Sequence, residues 1–218
     1  DAWEGWSIAP VEVGEVINWN QDEGGQAGNF GNESLIPQIP GWGDSSDGIV
    51  AEIITHLELK RGFHQFGVNS DDGFSLSFGP NPKDLLGIVG GQFNGTRGAA
   101  DSLFNIVVPE DGLYPVRLIW WEAGGGANIE FFSITNGKKI LVNSEEPNAI
   151  KAYHVGKSAP YISRAHPSGD VSKTIEFDIT NGDVSVEKSS VVVKLNGDVL
   201  DATVSSTDSG LSVVYDHG

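Results

Sequence analysis

The sequence predicts an all-β protein, an antiparallel β-sandwich followed by a smaller β module, and three observations carry that expectation. Short runs in which Val, Ile, Phe or Tyr alternate with polar residues recur along the 218 residues, the period of a half-buried strand. Glycine is abundant, at 29 residues, and Gly/Asn/Asp/Pro clusters separate the runs as turns do. No segment carries a convincing amphipathic helical period; the nearest is a single turn at Pro82 to Ile88.

Taken in order, Asn18 to Asn32 is a long loop of low apolar content, either functional or mobile. A second loop, Pro37 to Gly48, carries Trp42 between two glycines. Strands are expected at Ile49 to Leu59, Phe63 to Val68, Phe74 to Phe78, Leu113 to Trp121, Ile129 to Ile134 and Lys139 to Val142. Loops are expected at Gly79 to Lys83, Gly90 to Gly98 and Gly124 to Gly126. Lys60 to Gly62 reads as a hairpin turn that could bring His56 and His64 together, most simply as a polar cross-strand pair.

The composition changes near residue 155. All six Trp lie before it, at positions 3, 6, 19, 42, 120 and 121, and the remainder is rich in Val, Ser, Asp and Thr. Gly156 to Pro160 reads as a linker, which divides the chain into residues 1–155 and 156–218. In the second part strands are expected at Tyr161 to Ala165, Thr174 to Ile179, Val191 to Leu195, Val199 to Val204 and Leu211 to Tyr215. Asn196-Gly197 is a strong hairpin signal, because both positions of a two-residue turn need positive φ. Five strands in about 60 residues resemble most of an immunoglobulin-like sandwich, which has about seven strands in ~100 residues. The count predicts a truncated module or one completed by a partner's strand.

Charge narrows the function classes. With 13 basic and 30 acidic residues the formal net charge is −17, which argues against nucleic acid and anionic membrane surfaces, since both require cationic patches. It suits a soluble extracellular protein or a cation binder. The absence of Cys removes disulfides and thiolate metal sites. No run approaches the ~18 apolar residues of a membrane-spanning helix. A chain opening on Asp1-Ala2-Trp3 reads as processed or excised from a longer protein with further domains.

The most informative motif is Ser70-Asp71-Asp72-Gly73 between two strand-like runs. Successive side chains of a strand point to opposite faces, so Asp71 and Asp72 can share a target only where the backbone bends sharply, through a turn, a bulge or a cis peptide. Ser-Asp-Asp-Gly is good turn chemistry, and two convergent carboxylates would suit a divalent cation. Both readings stand on these residues alone.

From Ile49 to Ile134 the sequence resembles the protective-antigen-type domain family, which includes calcium-dependent flocculin and GLEYA adhesin lectins and bacterial modules appended to glycan-degrading enzymes. Three features carry the resemblance: the strand pair around Ser70-Asp71-Asp72-Gly73, the segment Gly112-Leu113-Tyr114-Pro115-Val116-Arg117-Leu118, and Trp121-Glu122-Ala123-Gly124-Gly125-Gly126-Ala127-Asn128-Ile129. It covers most of residues 1–155. It implies a jelly-roll-like sandwich in which Asp71 and Asp72 chelate Ca2+, completed by Asn128 and by glycine-loop carbonyls such as that of Gly125. In such lectins the ion binds sugar hydroxyls directly. The ligand-binding set expected here is Asp71, Asp72, Trp121, Glu122 and Trp42, the two Trp as flat apolar platforms.

Enzyme signatures are weak. A glycosidase needs two carboxylates on separate elements, roughly 5–9.5 Å apart, which consecutive aspartates do not offer. Glu52, Glu58, Glu122 and Glu130 sit in alternating strands, where a solvated face is the ordinary explanation. Histidines 56, 64, 154, 166 and 217 have no metal-ligand spacing, and no nucleophile elbow or phosphate loop is present. The sequence therefore points to a non-catalytic, calcium-dependent carbohydrate-binding module of a secreted or cell-surface multidomain protein, its partner a glycan. The alternative is a structural spacer or adhesin stalk in which calcium only rigidifies a loop.

Overall fold

The computed structural model describes residues 15–21, 26–37, 47–154, 159–166 and 174–216. Residues up to Tyr153 form two five-stranded sheets. The first holds β1 (Asn18–Asn20), β3 (Gly62–Asp71), β6 (Ala100–Val108) and β8 (Asn128–Thr135) in the order β1-β8-β3-β6, with β9 (Lys138–Leu141) also on β8. The second holds β2 (Ile49–Leu59), β4 (Gly73–Phe78), β5 (Ile88–Phe93), β7 (Gly112–Glu122) and β10 (Ala152–Tyr153) in the order β10-β2-β7-β4-β5. Every strand pair in the two sheets is antiparallel.

The alternation read from the sequence becomes the core. Trp19, Phe66, Val68, Ile129 and Phe131 point inward from the first sheet. Leu57, Phe74, Leu76, Val116, Leu118 and Trp120 meet them from the second, so the two sheets pack face to face as a sandwich. Trp120 is fully buried while its neighbour Trp121 is half-buried on the opposite face, as period two requires.

The topology sends the chain from one sheet to the other repeatedly at one end. β3 leads into β4 through Asp72; β5 leads into β6 through residues 94–99; β7 leads into β8 through residues 123–127. Register fixes these crossings side by side. Asp71 opposes Asn128, Ser70 opposes Ala100, Gly73 opposes Trp121 and Ile49 opposes Glu122.

Pro82 to Ile88 contains turns and the start of a strand, and no α-helix occurs among the described residues, in keeping with the sequence. Other expectations are corrected. Gly90 and Gly91, read as loop, lie inside β5: a Cβ on Gly91 would fall 2.3 Å from the Phe104 ring of β6, so glycine there permits close packing. Asn18–Asn20 is a strand, not loop, and Ala100–Val108 forms a strand, β6, where none is expected. Lys60 and Arg61 join the two sheets instead of closing a hairpin, so His56 opposes Pro115 and Tyr153 while His64 opposes Ile106.

The second part carries β11 (Tyr161–His166), β12 (Thr174–Thr180), β15 (Thr203–Thr207) and β16 (Gly210–Asp216) in the order β11-β12-β16-β15. A separate hairpin joins β13 (Val193–Leu195) to β14 (Asp198–Leu200). Asn196 and Gly197 turn it with φ of 53° and 96°, as the Asn-Gly pair demands. The single strand expected at Val199 to Val204 is instead divided between β14 and β15.

Candidate cation site

The sheet-to-sheet crossings gather carboxylates. Asp71, Asp72 and Glu122 each present an oxygen, and the three oxygens lie within 4.8 Å of one another. The Asp71–Asp72 peptide is cis. Asp72 is 3% exposed, and its carboxylate is aimed by main chain from two neighbouring crossings. The Arg97 N–H donates to Oδ1 at 2.7 Å and the Ala123 N–H to Oδ2 at 3.0 Å. The Trp120 indole N–H donates to the Asp71 carbonyl at 2.9 Å, so a core side chain holds the same turn from beneath.

Glu122 ends β7 and is 2% exposed. Its Oε1 accepts the Gly124 N–H, whereas Oε2 is buried without a hydrogen-bond partner. Burial and then the Asp72 charge push its carboxyl up to about 7; the Gly124 N–H opposes that rise, and Asp71 and Asp47 add to it. Asn128, fully buried at the start of β8, donates through Nδ2 to Asn69 Oδ1 at 3.1 Å. Its Oδ1 likewise has no partner. Buried acceptors are rarely left unpaired; Glu122 Oε2, part of one of the three convergent carboxylates, and Asn128 Oδ1, on the residue opposite Asp71, are open to a cation. Carboxylates and an amide oxygen form a hard donor set, which fits Ca2+ or Mg2+ and not zinc.

The glycine loop closes the rim. Gly125, at φ +107°, donates its N–H to Asp47 Oδ1 at 3.0 Å, so glycine's access to this region is used here. Trp121 lies over Gly73: a Cβ there would come within 2.1 Å of the indole. The structure thus brings Asp71, Asp72, Glu122, Asn128, Gly125 and Trp121 to one end of the sandwich, and Trp42 lies outside the described residues. The solvated-face reading fails for Glu122 and for Glu130, which is fully buried, because both side chains are covered by loops beyond the strand. Asp47 and Arg97 were missed. Asp47 had no local signal, because its partner Gly125 lies 78 residues away. Arg97 had none either, because its acceptor Asp72 lies 25 residues away on another crossing.

No family model matches this sequence, and no curated protein matches it. Solved structures that match part of this chain include the epithelial adhesin 9 A domain of Candida glabrata, determined in complex with Galβ1-4GlcNAc, at 14% identity and a TM-score of 0.40. That match covers 58% of this chain and 63% of the adhesin domain, just under two thirds of it. The epithelial adhesin 6 A domain of the same organism, in complex with Galβ1-3GlcNAc, matches at 14% identity and 0.43 over 66% of this chain and 73% of that one. The PA14 domain of the antifreeze protein MpAFP matches at 16% identity and 0.41 over 63% and 71%.

Proposed function

We propose that residues 1–155 form a non-catalytic, calcium-dependent carbohydrate-binding module of a secreted or cell-surface protein. One observation carries the reading: three carboxylate oxygens within 4.8 Å of one another, at the end of a sandwich, where Glu122 Oε2 of that cluster and the amide oxygen of Asn128, opposite Asp71, are buried without a donor. Asp71, Asp72, Glu122 and the Asn128 amide oxygen would hold the ion, with carbonyls of the glycine loop beside them. An ion held by hard oxygen donors can replace its waters by vicinal hydroxyls of a sugar. The half-buried face of Trp121 would give the pyranose an apolar surface to rest on. Residues 156–218 would form a second, immunoglobulin-like module.

A glycan array probed in calcium, in chelator, and with Asp72→Ala tests this. We expect calcium-dependent binding that Asp72→Ala abolishes; retained glycan binding by that variant sinks the mechanism. A second reading has its own support, because several crossings between the sheets meet here and an ion would tie them together. In that case the module is a spacer: calcium raises its melting temperature and no glycan binds. A folded-state ligand contributes about 2.7 kcal/mol at a hundredfold excess over Kd. Thermal unfolding in calcium, magnesium and chelator therefore separates both readings from a site that binds no ion.

A further inference from the structure

We propose that Arg97 is the positioning residue of this cation site, setting the Asp71–Asp72 turn through its guanidinium fork without itself touching the ion; the inference rests on the cation-site reading above. An arginine close to several carboxylates ordinarily forms a bidentate pair with one of them. Arg97 does otherwise. Its Nε–H donates to the Ser70 carbonyl at 3.0 Å, one Nη to Ser70 Oγ at 2.8 Å, and the other Nη to Ser102 Oγ at 2.9 Å. Ser70 Oγ in turn donates to the Asp72 carbonyl at 2.7 Å. The main-chain N–H of the same arginine holds Asp72 Oδ1 at 2.7 Å.

One residue on the β5–β6 crossing therefore grips the residue before the aspartate pair and the second aspartate itself. The grip is firm because the guanidinium carbon lies 4.1 Å from the Phe93 ring centroid and 6.0 Å from that of Phe74, which pins the plane of the fork. Burial lowers its pKa, while Asp101 and Asp71 act the other way and favour its charge. A positive charge is thus supplied next to the aspartates while the fork spends its hydrogen bonds on Ser70 and Ser102. Lysine could supply the charge but not the planar fork.

The test uses the whole 218-residue chain. Calcium dissociation constants are measured by competition with terbium luminescence for wild type, Arg97→Lys, Arg97→Met and the milder Ser102→Ala, alongside melting temperatures in chelator. We expect Arg97→Lys and Arg97→Met both to weaken calcium by about tenfold or more, as removal of a group that orients metal ligands does. Ser102→Ala should move affinity the same way by less, with melting in chelator close to wild type. Wild-type affinity in Arg97→Lys overturns the proposal, because charge alone would then suffice. So does a loss that merely follows the unfolded fraction. A wild-type chain that binds neither terbium nor calcium brings down the cation site itself, and Arg97's role with it; binding by wild type and variants alike brings down only the role of Arg97.

Discussion

Two buried glutamates on consecutive strands, Glu122 at the end of β7 and Glu130 in β8, look alike in sequence and behave differently in the structure. Each is at most 2% exposed, and burial, the largest cause in both, raises each carboxyl above its ordinary range. Glu130 is surrounded by donors. It accepts the Asn29 N–H at 2.7 and 3.0 Å, the Phe30 N–H at 2.9 Å and the Asn29 amide at 2.8 Å. Glu122 is surrounded by acids, with Asp72, Asp71 and Asp47 all raising its pKa and one oxygen left without a donor. Burial alone therefore says nothing about purpose. The company decides: a carboxylate nested in amides anchors a loop, and one set among other carboxylates calls for a cation.

The largest effect should come from breaking the anchor. Glu130→Ala strips the acceptor from three donors, two on the exposed Asn29 and one on the half-buried Phe30, and empties the space of a fully buried side chain. Each lost hydrogen bond is worth ~0.5–1.5 kcal/mol and the cavity adds to that. We expect roughly 3–5 kcal/mol of destabilisation in denaturant unfolding, the same in calcium as in chelator. A calcium-dependent loss would erase the distinction between the two glutamates. Gly28→Ala attacks the same anchor from the loop. Its φ is +76° and its Cβ would lie 2.6 Å from the Glu130 carboxylate, so both backbone and packing resist. About 2 kcal/mol should be lost, again without regard to calcium.

How far the sequence reached follows from the range over which its signals act. Alternation is local, so Ile49–Leu59 was read to the residue and the Asn-Gly hairpin at Asn196 was read with its turn geometry. β5 escaped because two glycines interrupt its apolar run, and the ring that makes Gly91 necessary comes from another strand. The Asp71–Asp72 motif was legible as two adjacent carboxylates, whereas the register that sets Asn128 opposite Asp71 is a long-range pairing of β3 with β8. Arg97 and Asp47 act across crossings between sheets, at sequence distances of 25 and 78 residues from their acceptor or donor, and no local pattern encodes that. Glu122 and Glu130 share a strand-like setting, and only the loops that fold over them tell them apart.

The smallest expected effect is the most discriminating, because its sign is opposite to that at Glu130. In chelator, folded Glu122, its carboxyl pushed up to about 7, keeps its proton to that pH, while the unfolded chain releases it near the ordinary 4.5. Between those values the folded state binds the extra proton, so raising the pH across this window removes stability and the loss is complete above about 7. Glu122→Gln cannot titrate and should escape that loss. The variant should be more stable than wild type by roughly 1–2 kcal/mol at pH 8 in chelator, with the gap closing toward pH 4.5. Taking the difference between the two curves cancels the contributions of Glu130, Asp101 and His56, whose own shifts are common to both. Calcium should invert the order, since the ion takes the proton's place beside the wild-type carboxylate and finds a weaker ligand in the amide. A glutamine variant less stable than wild type at pH 8 without calcium would make Glu122 a second anchor, and the carboxylate cluster would then be built for the fold instead of for an ion.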